Sequence, residues 1–175
     1  MVGKTRGHSA GKPRAGGHAH RAFLSGRRVD PTRLDGWLLA LLDDEAGPRA
    51  AMRAALEGAG ATIIDAGSLE QLKLLLDEEP RFPDALVLDL DLGIGKADGV
   101  AALTLLRAEW EMVVPAVIVT GRIAVMGTVP LPKRCTLLGK PVALSTLVGT
   151  LRRVAPHAGS PAAVSDGIIG KAGTS

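Results

Sequence analysis

The sequence predicts an α/β protein built on a doubly wound, five-stranded parallel sheet. Short apolar runs alternate with helical patterns through the body of the chain, and the connections between them are short. This alternation is typical of parallel strands joined by crossover helices that cover both faces of the sheet. A chain of 175 residues, 46% of them hydrophobic, suffices for one such domain with its own core.

The first half of this body predicts two strands and two helices. The run WLLALL, Trp37 to Leu42, is apolar on both faces and predicts a fully buried strand. A helical stripe follows, with Pro48 in its first turn and Gly58 near its end. After a second strand, ATIID, Ser68 and Gln71 have the spacing of a capping box and predict the start of the second helix.

The second half of the body continues the alternation of strands and helices, with one interruption. The runs DALVLD, AVIVT and CTLL predict the third, fourth and fifth strands, Asp98 can cap the third helix, and ALSTLVGTLRRV predicts the last helix. Between Thr120 and Lys140, Gly127, Pro130 and Pro132 stand where a further helix is expected. Since proline and glycine break helices, we expect an atypical or missing fourth helix there.

The charge distribution divides the chain into three predicted parts: a disordered basic arm over 1–34, the domain over 35–155 and a disordered tail over 156–175. The arm has eight Lys or Arg against one acid, whereas the remainder has 13 basic and 17 acidic residues. Such an arm could contact nucleic acid or an anionic surface, although its composition favours a solvated segment. The single cysteine, Cys135, and the lack of a membrane-length apolar stretch favour a cytoplasmic protein without a membrane anchor.

Polar residues follow four of the five strands. Asp43 and Asp44 follow the first, Asp89 ends the third, Thr120 ends the fourth and Lys140 follows the fifth. The carboxyl ends of parallel strands lie on one edge, and ligands bind where the strand order reverses. With the order 2-1-3-4-5, the three carboxylates converge, and they cannot all stay ionised unless a cation joins them.

A hard divalent cation fits this set, because Mg²⁺ prefers oxygen ligands and is commonly held by one or two carboxylates. With the charge neutralised, Asp89 can act as a nucleophile toward a phosphoryl group and form an aspartyl phosphate. Lys140 and the Thr120 hydroxyl can then donate to the phosphoryl oxygens. Each residue alone has a simpler interpretation, as a turn cap, a strand end or a solvated cation. Their combination at one edge favours phosphotransfer.

Over about Asp35 to Val154 the chain resembles a two-component response regulator receiver domain, through the stretches LLDDEAGPRAAMRAALEGAG, PDALVLDLDLG, PAVIVTG and LLGKPV. Within that family the chain is most similar to receivers appended to hybrid sensor histidine kinases, through RLDG before the first strand and KPV…LRRV at the end. The resemblance implies a flavodoxin-like fold, Asp89 as the phosphorylation site, and Mg²⁺ held by Asp43, Asp44, Asp89 and the carbonyl of Asp91. It also implies Thr120 as the switch hydroxyl, Lys140 as a phosphate ligand, and a cis Lys140–Pro141 bond.

The resemblance further implies a phosphoryl donor outside the chain, either a sensor histidine kinase or a histidine phosphotransfer protein. We expect no turnover of an external substrate. The residues after Val154 are too few for a DNA-binding output domain, so none is expected. The chain departs from the family at Leu137, where an aromatic residue is usual, and at Gly93, where proline is common.

Two alternatives remain open at this point. The first is a degenerate receiver that only docks to a protein partner, which Leu137 and the short interval before Lys140 favour. The second is a phosphatase, because LDLDLG also resembles the D-x-D opening of haloacid-dehalogenase-type enzymes, with Asp89 as nucleophile and Asp91 as acid/base. That family has its D-x-D strand first and its acid pair last, which is the reverse of the order in this chain.

Overall fold

A computed structural model describes residues 30–93, 98–156 and 158. It confirms the predicted sheet, in which five parallel strands have the order β2-β1-β3-β4-β5. The strands are β1 (Leu38–Leu42), β2 (Thr62–Ala66), β3 (Ala85–Asp89), β4 (Ala116–Thr120) and β5 (Cys135–Gly139). In the pairing of β1 with β3, Leu42 lies opposite Leu88. The residues that follow β1 are therefore beside the last residue of β3.

In the described residues, four α-helices cover the two faces of this sheet: α1 (Ala46–Gly58), α2 (Leu69–Glu78), α3 (Gly99–Glu109) and α4 (Leu144–Val154). Leu56 of α1 and Leu151 of α4 pack in one core cluster, on the face that includes Leu41 of β1. Leu72 of α2 and Leu103 of α3 pack in a second cluster on the other face. All strands except β2 and β5 are buried along their whole length, as the continuous apolar runs predict.

Both predicted helix caps are present. The Ser68 hydroxyl accepts a hydrogen bond from the Gln71 backbone N–H at 3.2 Å, and Gln71 Oε1 accepts one from the backbone of Gly67. The Asp98 carboxylate accepts from the Ala101 N–H at 2.8 Å. The first residue of α3, Gly99, approaches the end of β3 so closely that a Cβ there would lie 2.3 Å from the Asp89 carbonyl oxygen. Glycine at this position is what allows α3 to begin beside Asp89.

The connection from β4 to β5 contains no α-helix in its fully described residues 121–134, which confirms the predicted missing fourth helix. A 3₁₀ helix, Ile123–Val125, is the regular element of this connection. β5, an edge strand of the sheet, is only half-buried along its length. The Lys140–Pro141 bond that follows β5 is cis, as the family resemblance implies.

The segment before β1 packs against the domain. Leu34 is fully buried, and its backbone N–H donates to the Ala59 carbonyl at 2.7 Å. Arg152 of α4 lies 6.0 Å from the Trp37 ring centre and donates to the Asp30 carbonyl at 3.0 Å. Asp30 to Leu34, which the sequence assigns to the arm, therefore pack with the domain. The remaining boundaries of arm and tail stay predictions, because 1–29 and 159–175 lie outside the described residues.

None of the helices in the described part of the chain combines the length and the apolar character that a bilayer crossing requires.

Candidate functional site

Three carboxylates converge at the carboxyl edge of the sheet. Asp43 and Asp44 follow β1 directly and Asp89 ends β3, and each contributes an oxygen that lies within 4.8 Å of the others. Asp43 and Asp89 are each 3% exposed, whereas Asp44 is half-buried. The structure thus brings together the three acids that the strand order places at this edge. Their proximity and burial require a compensating positive charge.

Lys140 supplies one such charge. Its Nζ lies 2.8 Å from Asp89 Oδ2 and 3.1 Å from Asp43 Oδ2, and its backbone N–H donates to the Thr120 carbonyl at 2.7 Å. Burial on its own would lower the pKa of Lys140, but the hydrogen bonds and charges of Asp89 and Asp43 outweigh it and raise that pKa. The side chain is therefore an ammonium that bridges two buried carboxylates. The sequence assigned Lys140 to phosphate and did not predict this double pairing.

Backbone donors orient the same two carboxylates. Asp43 Oδ1 accepts from the Glu45 N–H at 2.9 Å, and Asp89 Oδ1 accepts from the Asp91 N–H at 3.2 Å. Each acid thus directs one oxygen to the turn that follows its strand and the other to Lys140. The simpler interpretation of Asp43 as a turn-forming residue is therefore correct as well. The role of Asp43 in the turn is compatible with a role of its side chain in binding a ligand.

Arg49 of α1 fixes the position of the turn after β1. Its Nη1 donates to the Asp43 carbonyl at 2.6 Å, while its Nε pairs with Asp65 Oδ2 of β2 at 3.2 Å. Arg49 is a site residue that the sequence patterns did not predict. Its place in the first turns of a helix that follows an acid pair is the only signal that the chain itself offers.

Thr120 reaches the same edge but is engaged by Asp91. Its Oγ1 donates to Asp91 Oδ2 at 3.2 Å and accepts from the Arg122 N–H at 3.0 Å. Arg122 Nη2 lies 2.6 Å from the other oxygen of Asp91. The Asp91 side chain thus faces Thr120 and Arg122 and is not one of the three clustered carboxylates. Its predicted contribution to a metal site through the backbone carbonyl stays a prediction.

A cavity of about 430 Å³ opens beside the acid cluster. The residues that line it are Asp44, Glu45, Leu90, Asp91, Leu92, Gly93, Asp98 and Arg122. The clustered donors are carboxylate oxygens, with no histidine or cysteine among them, which suits a hard divalent cation better than zinc or copper. The cavity has room for the waters or phosphate oxygens that complete the coordination of such an ion. The site therefore fits a metal in donor chemistry and in space.

Neither the protein-family models nor the curated proteins include a match to this sequence. Solved structures do match it. NtrX from Brucella abortus, in complex with ATP, superposes with a TM-score of 0.62 at 21% identity, over 75% of this chain and 29% of that chain. The receiver domain of Francisella response regulator 1452 gives 0.57 at 17% identity, over 69% and 98%. The receiver domain of the hybrid histidine kinase CckA gives 0.55 at 19% identity, over 67% and 98%.

The chain therefore covers less than a third of NtrX but nearly all of two isolated receiver domains. The strand order, the helices on both faces of the sheet and these superpositions all indicate the same fold. This chain has the fold of a response regulator receiver domain.

Proposed function

We propose that this chain accepts a phosphoryl group on Asp89, with Mg²⁺, as the receiver of a two-component or phosphorelay system. The observation that carries the proposal is the surroundings of Asp89. Its carboxylate lies within 4.8 Å of those of Asp43 and Asp44 and 2.8 Å from the Lys140 ammonium. Two further acids and a cation around one buried carboxylate are the groups that phosphoryl transfer to an aspartate requires.

In the proposed step, a carboxylate oxygen of Asp89 attacks phosphorus and forms a new P–O bond. The bond between phosphorus and the donor breaks, and its electron pair leaves with the imidazole of a phosphohistidine or with acetate. Lys140 already contacts Asp89 and remains within reach of an oxygen of the transferred group, where its charge offsets the negative charge of the phosphoryl group. Thr120 can donate its hydroxyl to a second oxygen once it releases Asp91.

Asp43, Asp44 and Asp89, with the carbonyl of Asp91, would hold the Mg²⁺. When bound, the ion neutralises the acid cluster and the phosphoryl oxygens. Asp43 and Asp89 already direct one oxygen each to a backbone donor and one to Lys140, so their side chains are held in place before a ligand arrives. Asp44, which lines the cavity, is the acid most open to an entering ligand.

The donor in this proposal is a sensor histidine kinase or a histidine phosphotransfer protein in the cytoplasm. Similarity to the CckA receiver, which belongs to a hybrid histidine kinase, supports a relay partner of this kind. The chain would turn over no external substrate, because the phosphoryl group stays on Asp89 after one transfer.

The test is incubation of the purified chain with acetyl phosphate and Mg²⁺, followed by intact mass spectrometry. We expect one added phosphoryl group, none after chelation of Mg²⁺, and none in Asp89→Asn. Asp35→Asn is the matched control, because Asp35 pairs with Arg33 on the surface and lies outside the acid cluster. It should be phosphorylated like the wild type.

A folded wild type that gains no mass and binds no beryllofluoride would contradict the proposal. Phosphorylation of Asp89→Asn at the wild-type level would contradict the assignment of the acceptor. Steady hydrolysis of a generic phosphomonoester would instead favour the phosphatase, since a receiver stops after one transfer.

The second candidate function is a protein-docking module without phosphotransfer. The observation that favours it is the β4–β5 connection, where a 3₁₀ helix replaces an α-helix and Ile123, Met126 and Leu131 are exposed. Contiguous exposed apolar patches are typical of interaction surfaces. The same phosphorylation experiment separates the two functions, because docking alone requires neither Mg²⁺ nor Asp89.

A further inference from the structure

Arg49 of α1 links the turn that carries the acid pair to the end of the neighbouring strand β2. Its Nη1 donates to the Asp43 carbonyl at 2.6 Å, and its Nε pairs with Asp65 Oδ2 at 3.2 Å. The Arg49 and Asp65 side chains are only 20% and 18% exposed, so solvent screens this pair less than it screens a surface pair. One guanidinium group thus ties a helix, a strand and the turn together.

Two features of β2 and the residue after it hold that guanidinium in place. Asp65 accepts from Arg49 through one oxygen and from Arg53 Nη1 through the other at 2.6 Å, so its carboxylate cannot rotate without losing a bond. Gly67, directly after β2, leaves the space that the guanidinium fills, because a Cβ there would lie 3.2 Å from Arg49 Nη1. The direction of Arg49 toward the turn is therefore set both by an ion pair and by packing.

The bond from Arg49 acts on the peptide unit between Asp43 and Asp44. A peptide unit is planar, so a fixed carbonyl oxygen on Asp43 also fixes the direction of the following N–H and of the Asp44 Cα. The Asp43 side chain is held separately, by the Glu45 N–H and by Lys140. Asp44 is the half-buried acid that lines the cavity, and Arg49 orients the backbone from which its side chain extends.

We propose that Arg49 is a positioning residue for the divalent cation, which holds the Asp43–Asp44 turn in the geometry in which the acid cluster binds Mg²⁺. This inference rests on the proposed function, because it takes the acid cluster to be the Mg²⁺ site of phosphoryl transfer. Mg²⁺ requires near-ideal octahedral geometry, so a small displacement of one carboxylate weakens its binding. Residues that orient metal ligands commonly contribute about 10- to 100-fold to metal affinity.

Positioning and charge make opposite predictions for Arg49→Met. The substitution removes a positive charge close to the acid cluster, and by charge alone Mg²⁺ would bind more tightly. Loss of positioning would instead weaken Mg²⁺ binding, by about tenfold on the scale of such orienting residues. We expect the weaker binding, because the Asp43 carbonyl loses a donor that lies 2.6 Å away.

The test is isothermal titration calorimetry of the purified full chain with Mg²⁺. Arg49→Met should raise the dissociation constant about tenfold, and Arg49→Lys, which keeps the charge but reaches only one of the two partners, about threefold. Asp65→Asn should also weaken binding. Adding it to Arg49→Met should change the dissociation constant less than about twofold, because Asp65 acts through Arg49.

Phosphorylation by acetyl phosphate gives a second measurement of the same effect. In Arg49→Met, the Mg²⁺ concentration that gives the half-maximal rate should rise about tenfold. The rate at saturating Mg²⁺ should stay within about twofold of the wild type, because Arg49 orients the site and does not contact the phosphoryl group. Such a split distinguishes positioning from a general loss of structure.

The matched control is Arg53→Gln. Arg53 pairs with the same Asp65 carboxylate and with Glu57, at 2.6 and 2.9 Å, and its contacts in the described part of the chain do not include the turn. The control removes the same charge from the same helix, so its Mg²⁺ dissociation constant should stay within about twofold of the wild type. Circular dichroism in a chelator shows whether each variant is folded before the titration.

Two results would overturn the role of Arg49: a folded Arg49→Met that binds Mg²⁺ at least as tightly as the wild type, or an equal loss of affinity in Arg53→Gln. If Arg49→Met did not fold, unchanged affinity in Arg49→Lys and Asp65→Asn would overturn it as well. A wild type that binds no Mg²⁺ would overturn both this role and the proposed function. A wild type that binds Mg²⁺ but accepts no phosphoryl group would contradict the proposed function alone, and weaker binding in Arg49→Met would still support the role of Arg49.

Discussion

The two edges of the sheet differ in how charge is balanced. The cavity at the carboxyl edge is lined by four acids, Asp44, Glu45, Asp91 and Asp98, and by one arginine, Arg122. At the amino edge, one cavity is lined by Arg134 and Arg153 with no acid, and a neighbouring cavity includes Arg134 and Asp84. Because all five strands are parallel, the fold itself separates these two surfaces.

At the carboxyl edge, a side chain of the same site balances the charge of the buried acids. Asp43 and Asp89 are buried, and both pair with Lys140. At the amino edge, Arg107 and Arg134 donate to backbone carbonyls and Arg153 donates to a hydroxyl. These bonds hold the guanidinium groups in place but do not neutralise their charge. The carboxyl edge thus balances its buried acids with a cation of its own, whereas the arginines of the amino edge bind neutral oxygens.

Removal of Lys140 tests whether the carboxyl edge depends on its internal cation. Lys140→Met would leave Asp43 and Asp89 buried, 3.1 and 2.8 Å from the place of the lost Nζ, without their ammonium partner. We expect the free energy of unfolding to fall by about 3 kcal/mol in a chelator, because a buried pair that loses one partner leaves an uncompensated charge. Urea unfolding monitored by circular dichroism measures this loss, and saturating Mg²⁺ should recover most of it.

Lys73→Met is the control for that experiment. Lys73 pairs with Glu109 on the surface, where both side chains are about 40% exposed, so its loss should change stability by less than about 1 kcal/mol. Mg²⁺ should not change the difference in stability between Lys73→Met and the wild type. If Lys140→Met proved as stable as the wild type in chelator, the carboxyl edge would not depend on an internal cation.

The corresponding substitution at the amino edge is Arg107→Met. It removes the guanidinium that donates twice to the carbonyl of the buried Val114. A buried carbonyl without its charged donor should cost about 2 kcal/mol in the same urea titration. Unlike the loss in Lys140→Met, this loss should be the same with and without Mg²⁺. Recovery by Mg²⁺ would mean that the two edges are not independent.

Much of the fold could be predicted from local patterns. Continuous apolar runs identified the strands, Ser68 and Asp98 identified two helix starts, and Gly127 with the prolines after it identified the missing helix. Each of these signals depends on neighbours in sequence, or on a breaker that acts where it stands. The convergence of Asp43, Asp44 and Asp89 followed from the strand order.

The pairings within the site could not be predicted in this way. Lys140 is 97 residues from Asp43, and Thr120 is 29 residues from Asp91. Which acid each side chain contacts depends on turn geometry and rotamers, and no periodicity in the sequence encodes these. The proximity of Arg107, Arg134 and Arg153 at the amino edge could not be predicted for a similar reason, since they lie in three separate segments of the chain.

The smallest effect we predict concerns Asp91, the acid that faces away from the cluster. Asp91 accepts the hydroxyl of Thr120 and pairs with Arg122, whose side chain is 56% exposed. Asp91→Asn would weaken its hold on Thr120 and remove a negative charge from the cavity that an anionic donor enters. The rate of phosphorylation by acetyl phosphate should rise about threefold, less than 1 kcal/mol in activation free energy, with Asp35→Asn unchanged. A slower rate would mean instead that the Asp91 carboxylate assists the transfer, and that the acids of the carboxyl edge act as one group.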